Sequence, residues 1–175
     1  MERKFEAKPT IYSGSVQMRS KLETQWAAFF DALEIPWEYE KYNFIVHGMG
    51  YLPDFYFPGM DLFVEIKPYY PDGTECEKVI AFSVQHPIWL ITGAPSVRRL
   101  NGVMDFGYEV YPYHNEELSK RHIFVLEGDV LGLKPESFYS DCSSFMEYVD
   151  HLKISDPLCE RLRKAYQTTG LWGMR

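Results

Sequence analysis

Cysteine is scarce in this chain of 175 residues, with only Cys76, Cys142 and Cys159 present. An odd count without Cys-x-x-Cys spacing excludes a disulfide framework, and neither these thiols nor the five histidines are spaced as a zinc finger. They read as reduced thiols of a cytoplasmic protein, in the host cytoplasm if a phage encodes it. No apolar run approaches the roughly 20 residues that cross a bilayer, so no membrane partner is expected. The first residues are charged and lack an apolar stretch behind them, unlike a secretory leader. Internal repeats, low-complexity tracts and Gly/Ser linkers are missing. So are a Gly-rich phosphate loop, a G-x-S-x-G elbow and a dinucleotide fingerprint. Positive charge is also in short supply: 18 basic against 25 acidic residues leave a net charge of −7. That balance argues against a simple electrostatic coat for nucleic acid.

What is present is apolar and aromatic. Hydrophobic residues make up 46% of the chain and aromatic residues 17%, enough for a packed core. The length fits a single domain over 1–175: an N-terminal extension at 1–15, a core at 16–95, and peripheral strands with closing helices at 96–175. The charge is uneven. Residues 1–21 and 153–175 each carry a net +3, which leaves −13 for the stretch between them. This fits ordinary solvated surface, or an acidic metal site between phosphate-contacting ends.

Periodicity predicts a helix over 18–34, where Leu22, Trp26, Phe29, Phe30 and Leu33 recur at helical spacing and Pro36 follows. Strands are predicted at 37–46, 51–57 and 62–67, then a helix at 74–85 and a buried strand from Ile88. Further strands are expected at 108–113 and 121–126, with a turn at Gly128-Asp129, and closing helices at 143–152 and 156–168. The fold class is α/β, with a mixed sheet flanked by helices. His86, before Pro87, reads as a capping or core histidine.

Two clusters of charge fall where apolar residues are expected. On the first helix, Glu23 lies inside the apolar arc, between Ala27 and Phe30, and Arg19 lies one turn earlier. Either the two form an i,i+4 pair at the edge of the packed face, or Glu23 stands beside a metal or a catalytic water. The second cluster is a hairpin. A two-residue type II′ loop at Gly59-Met60 makes every cross-strand pair sum to 119, so Asp54 faces Glu65, and Lys67 shares the face of Glu65. Like charges opposite each other destabilise a sheet and call for a compensating cation: Lys67, Arg19 or a metal ion. The hairpin is either a solvent-facing salt-bridged pair or a buried metal site. Phe55, Phe57, Phe63, Val64 and Ile66 favour burial. Two carboxylates and a backbone carbonyl suit Mg²⁺ rather than zinc.

Pro53-Asp54 followed by Glu65-Ile66-Lys67 resembles the PD-(D/E)xK nuclease superfamily. Arg19-Ser20-Lys21-Leu22-Glu23 at the opening of a helix, Tyr51-Leu52-Pro53-Asp54-Phe55 and Val64-Glu65-Ile66-Lys67 are similar to its small single-domain phage and bacterial members. The resemblance covers about residues 19–92. It implies a restriction-endonuclease-like αβββαβ core with the site at one edge of the sheet, and C-terminal helices outside that core. By the resemblance, Asp54, Glu65 and the Ile66 carbonyl would hold Mg²⁺, with Mn²⁺ able to substitute. Glu23 would complete the metal shell with Arg19 supporting it, and Lys67 would be the catalytic lysine. Glu75, Lys78 and Gln85 on the following helix are candidates to face the substrate. The implied reaction is phosphodiester hydrolysis by a metal-activated water, with DNA as the expected nucleic-acid partner. Tyr12, Lys21, Tyr69, Tyr70, Arg98 and Arg99 are further candidates for backbone or base contacts. A homodimer or a protein partner is compatible with this. The alternative is a catalytically silent nucleic-acid-binding, regulatory or protein-interaction protein of phage origin that keeps the fold.

Overall fold

The structure is a computed structural model that describes residues 10–12, 16–100, 103–115, 117–118, 122–127 and 130–135. The chain opens with a small hairpin, β1 (Thr10–Tyr12) and β2 (Val16–Met18), within and just after the stretch expected to be an extension. Helix α1 (Lys21–Ala32) follows, then β3 (Glu38–Tyr39), a separate hairpin of β4 (Phe44–Val46) and β5 (Met49–Tyr51), and β6 (Phe55–Phe57) and β7 (Leu62–Lys67). Helix α2 (Gly73–Ser83) leads to β8 (Ile88–Leu100), β9 (Val103–His114), β10 (Glu117–Leu118), β11 (His122–Glu127) and β12 (Val130–Pro135). The expected helices at 143–152 and 156–168 lie outside the described residues.

Eight of these strands form one mixed sheet in the order β12-β11-β9-β8-β7-β6-β3, with β10 on β9. The β7–β8 pair is parallel and is bridged by α2; the other pairs are antiparallel. This is a mixed α/β fold, as expected. Alternation along the strands separates two cores. Leu62, Val64, Ile66, Ile91 and Val110 pack with Trp26, Phe29 and Phe30 of α1. Phe63, Ile88, Leu90 and Tyr113 pack with Val79 and Phe82 of α2. Among the described residues, no helix is long and apolar enough to cross a membrane.

The strand expected over 37–46 is broken. Glu40 takes a left-handed φ of 46° and its N–H donates to the Asp54 carbonyl, so the chain leaves the sheet after Tyr39. It returns through the β4–β5 hairpin, whose two-residue loop, His47-Gly48, has positive φ at both positions, the type I′ pattern. The strand expected over 51–57 is split between β5 and β6, around Pro53.

The β6–β7 turn also departs from expectation. Met60 N–H donates to the Phe57 carbonyl, which makes Pro58 and Gly59 the central pair, and Asp61 rather than Gly59 carries a positive φ, 48°. Proline presets the first central position, and the tighter type II′ loop is displaced by a four-residue one. The register is unchanged by the extra residues: Phe55 pairs with Val64, Tyr56 with Phe63 and Phe57 with Leu62.

Candidate active site

That register carries Asp54, one residue before β6, to the level of Glu65 on the face of the sheet that α2 covers. Both carboxylates are buried, at 7% and 5% exposure. Asp54 does not float: the Ile66 N–H donates to its Oδ2 at 2.7 Å, so the side chain continues the β6 edge of the ladder. Its Oδ1 has no hydrogen-bond partner among the described residues. Glu65 accepts from the Tyr51 hydroxyl at Oε2 (3.2 Å) and from Lys67 Nζ at Oε1 (2.9 Å). Lys67 also lies 3.9 Å from Glu75, in the first turn of α2. β7 ends at Lys67 because Pro68 has no N–H for the ladder. The group therefore sits at the carboxyl end of β7.

The electrostatics follow from burial. Asp54 is pushed well above the usual carboxylate range by desolvation, then by the charges of Glu65 and Glu23, against the opposing Ile66 N–H and Lys67. Glu65 is also raised by desolvation, although Lys67 and Tyr51 pull it back. Desolvation pushes Lys67 down, but the Glu65 charge and hydrogen bond outweigh it and hold the ammonium above its ordinary value. Of the three cations the hairpin might recruit, the one beside Glu65 is Lys67.

Glu23 is buried as its helical position predicts, at 7% exposure. Its surroundings differ. Its N–H donates to Ser20 Oγ (3.1 Å), and the Ser20 hydroxyl returns to Oε1 (2.6 Å). The Arg19 N–H (3.1 Å) and the Tyr39 hydroxyl (2.5 Å) donate to Oε2. Ser20 is thus the N-cap that satisfies the Glu23 N–H, and the N3 carboxylate in return holds the Ser20 hydroxyl and the N–H of Arg19 just ahead of the cap, a variant of the capping box. The Arg19 guanidinium turns elsewhere, with Nε 2.5 Å from Glu40 Oε1. Among the described residues, no three His, Cys, Asp or Glu side chains converge as a metal-holding group. Glu23 thus stands apart from the Asp54–Glu65 pair, near enough to bear on Asp54 electrostatically.

The second helix divides its candidates. Glu75 reaches Lys67, and Lys78 is half-buried one turn further on. Gln85 lies beyond the far end of α2, exposed in a cleft with Phe44, His47 and His86, at the opposite end of β7 from Lys67. His86 is half-buried at the edge of the core, its ring against Phe44, Phe63 and Phe82. Two contributors were not anticipated, Tyr51 on Glu65 and Tyr39 on Glu23. Buried tyrosines need a partner for the hydroxyl, and a carboxylate is a ready acceptor, but no local spacing pairs residues 14 or 16 positions apart. The cap at Ser20-Lys21-Leu22-Glu23 does carry its signal in sequence, as S-x-x-E ahead of an apolar run.

Comparison with known proteins decides nothing further: no family model matches this sequence, and no curated protein or solved structure matches it.

Proposed function

We propose that this chain is a Mg²⁺-dependent nuclease of the PD-(D/E)xK type that hydrolyses phosphodiester bonds of nucleic acid, with DNA the first substrate to test. One observation carries the reading: two buried carboxylates, Asp54 and Glu65, at one level of a hairpin, with Lys67 ion-paired to Glu65 at 2.9 Å. The run α1, β3, β6, β7, α2, β8 follows the αβββαβ order of that superfamily's core, which supports the same reading.

The donor set fits a hard cation. All its groups are oxygens, Asp54 Oδ1 is not engaged in the ladder, and the pair carries more negative charge than one lysine balances. Asp54, Glu65 and the Ile66 carbonyl would hold the ion, with water filling the remaining positions. Bound there, Mg²⁺ would acidify a water and neutralise a phosphoryl oxygen. Lys67, flanked by Glu65 and Glu75, is an ammonium in this arrangement. Its role is to donate to the anionic phosphate and stabilise developing charge, not to abstract a proton. Ile66 N–H fixes one Asp54 oxygen and Tyr51 orients Glu65, so neither ligand has to be ordered on binding. Glu23 keeps the start of α1 in place beside the site.

The test is cleavage of plasmid, linear duplex, single-stranded DNA and RNA with Mg²⁺, Mn²⁺ or EDTA. Metal-dependent cleavage that disappears in Lys67→Ala is the expected result. No cleavage of any substrate by the folded protein would move the assignment to a catalytically silent binding or regulatory role.

A further inference from the structure

Immediately after Lys67 the chain runs Pro68-Tyr69-Tyr70-Pro71, over a cavity of about 270 Å³ at the carboxyl end of β7, beside the middle of β8. Pro68, Tyr69, Tyr70, Thr92, Gly93 and Glu109 are among its lining residues. Tyr69 is 80% exposed, the most exposed of the large hydrophobic side chains among the described residues. A single exposed aromatic is ordinary on a protein surface. Three features set this one apart.

First, its loop is fixed around it. Pro68 and Pro71 restrict φ, Pro71 is buried, and the Tyr70 ring packs edge-on to Tyr111 with its hydroxyl against that of Tyr113. Tyr69 is held out by neighbours that are tied down, so a ligand stacking on it orders little else. Second, the floor of the cavity is polar and aligned with the catalytic end of the sheet. Lys67 pairs with Thr92 and Thr92 with Glu109, which places Lys67 and Glu109 two strand spacings apart, about 10 Å. Third, the two ends of this row differ in sign. The ammonium of Lys67 suits a phosphate. The Glu109 carboxylate, which accepts from the Tyr111 hydroxyl at Oε2, repels one, and its remaining acceptor positions together with the hydroxyl of the buried Thr92 suit the N–H edge of an uncharged base. Gly93, at a positive φ of 79°, carries no side chain to fill the space.

We infer that the cavity between Tyr69 and the Thr92–Glu109 row is a nucleobase subsite, so that the substrate presents an unpaired base next to the phosphate held at Lys67. The ligand class is single-stranded nucleic acid or a frayed end, because a duplex keeps its bases stacked inside. The inference rests on the nuclease reading for the identity of the ligand.

The experiment is fluorescence anisotropy on the full chain carrying Asp54→Asn, which on the nuclease reading does not turn over. The probes are labelled 12-mers: single-stranded DNA, single-stranded RNA, blunt duplex DNA, and an abasic DNA strand. Tighter binding of either single strand than of the duplex is expected. Adding Tyr69→Ala should weaken it about 10-fold, the scale of one base–aromatic stack, and Tyr69→Phe should restore it. Binding of the abasic strand should not respond to either change. Equal single-strand affinity with and without the Tyr69 ring, or duplex binding as tight as single-strand binding, overturns the subsite. Base-dependent binding in a protein whose wild type cleaves nothing would retain the subsite and refute the nuclease. Lys67-dependent cleavage with binding indifferent to Tyr69 would do the reverse.

Discussion

Among the described residues two places bury carboxylates, and they bury them differently. At the start of α1, Glu23 is surrounded by donors: the Ser20 hydroxyl, the Arg19 N–H and the Tyr39 hydroxyl. Every donor is uncharged, and the same contacts close the helix end. At the carboxyl end of β7, Asp54 and Glu65 lie at one level of the sheet, and one ammonium, that of Lys67, is ion-paired to Glu65. The first arrangement is complete within itself. The second is left with excess negative charge in a desolvated place, which a divalent cation would relieve. Burial alone therefore does not separate a structural acid from a chemical one. What separates them is whether donors satisfy the carboxylate with no second carboxylate opposite it.

The sharpest break in the comparison comes from Lys67→Ala. It should abolish metal-dependent cleavage, a loss of 10²-fold or more for a group that stabilises transition-state charge. In EDTA it should also lower the melting temperature, because Glu65 loses its cation, and Mg²⁺ should recover part of that loss.

Asp54→Asn should act in the opposite direction on stability. The Asn oxygen can still accept from Ile66 N–H while the like-charge repulsion is gone. In EDTA at pH 8 the variant should be more stable than wild type by about 1–3 kcal/mol, a rise of roughly 2–12 °C at 2–4 °C per kcal/mol. The sign with pH follows from the raised folded-state values. Protonated Asp54 favours the folded form, so its contribution is full below the unfolded carboxylate pKa near about 4. It is lost as pH rises through the folded value. The stability gap between Asp54→Asn and wild type should therefore open as pH rises and close in acid. A gap that is constant with pH, measured by thermal melts from pH 4 to 8, would mean that the pair is not strained.

Tyr51→Phe removes one hydroxyl from Glu65. A loss of metal affinity of about 10-fold is expected, the lower end for a partner that orients a ligand, with a stability loss near 1 kcal/mol. At the other end of the comparison, Ser20→Ala should cost about 1 kcal/mol as a lost helix cap and leave the metal response unchanged. A metal response that falls with Ser20→Ala would join the two regions into one site.

Much of this was legible in the sequence for identifiable reasons. The 119 register survived a mistaken turn, because Pro58-Gly59 replaced Gly59-Met60 at the centre without moving the pairing of Phe55 with Val64. The opposition of Asp54 and Glu65 followed from that register, and the lysine on the same face from strand periodicity. The inward position of Glu23 followed from helical periodicity, but its capping role was overlooked although Ser20-x-x-Glu23 announces it. Two features needed tertiary information: the hydroxyls of Tyr39 and Tyr51, which arrive from β3 and β5, and the break at Glu40, held by the hydrogen bond its N–H donates to the Asp54 carbonyl. Gln85 looked eligible by composition but lies beyond the wrong end of α2, since a helix linking parallel strands returns to the start of the sheet.

The account stands most directly on a thermal melt of wild type, Asp54→Asn and Glu23→Gln across Mg²⁺ and Mn²⁺ concentrations. It predicts a melting temperature that climbs with metal in wild type, equivalent to about 2.7 kcal/mol at a hundred times the dissociation constant. Glu23→Gln should start lower and climb in parallel, and Asp54→Asn should start higher and stay flat. A wild type that ignores both metals, or an Asp54→Asn variant that climbs as wild type does, would contradict it.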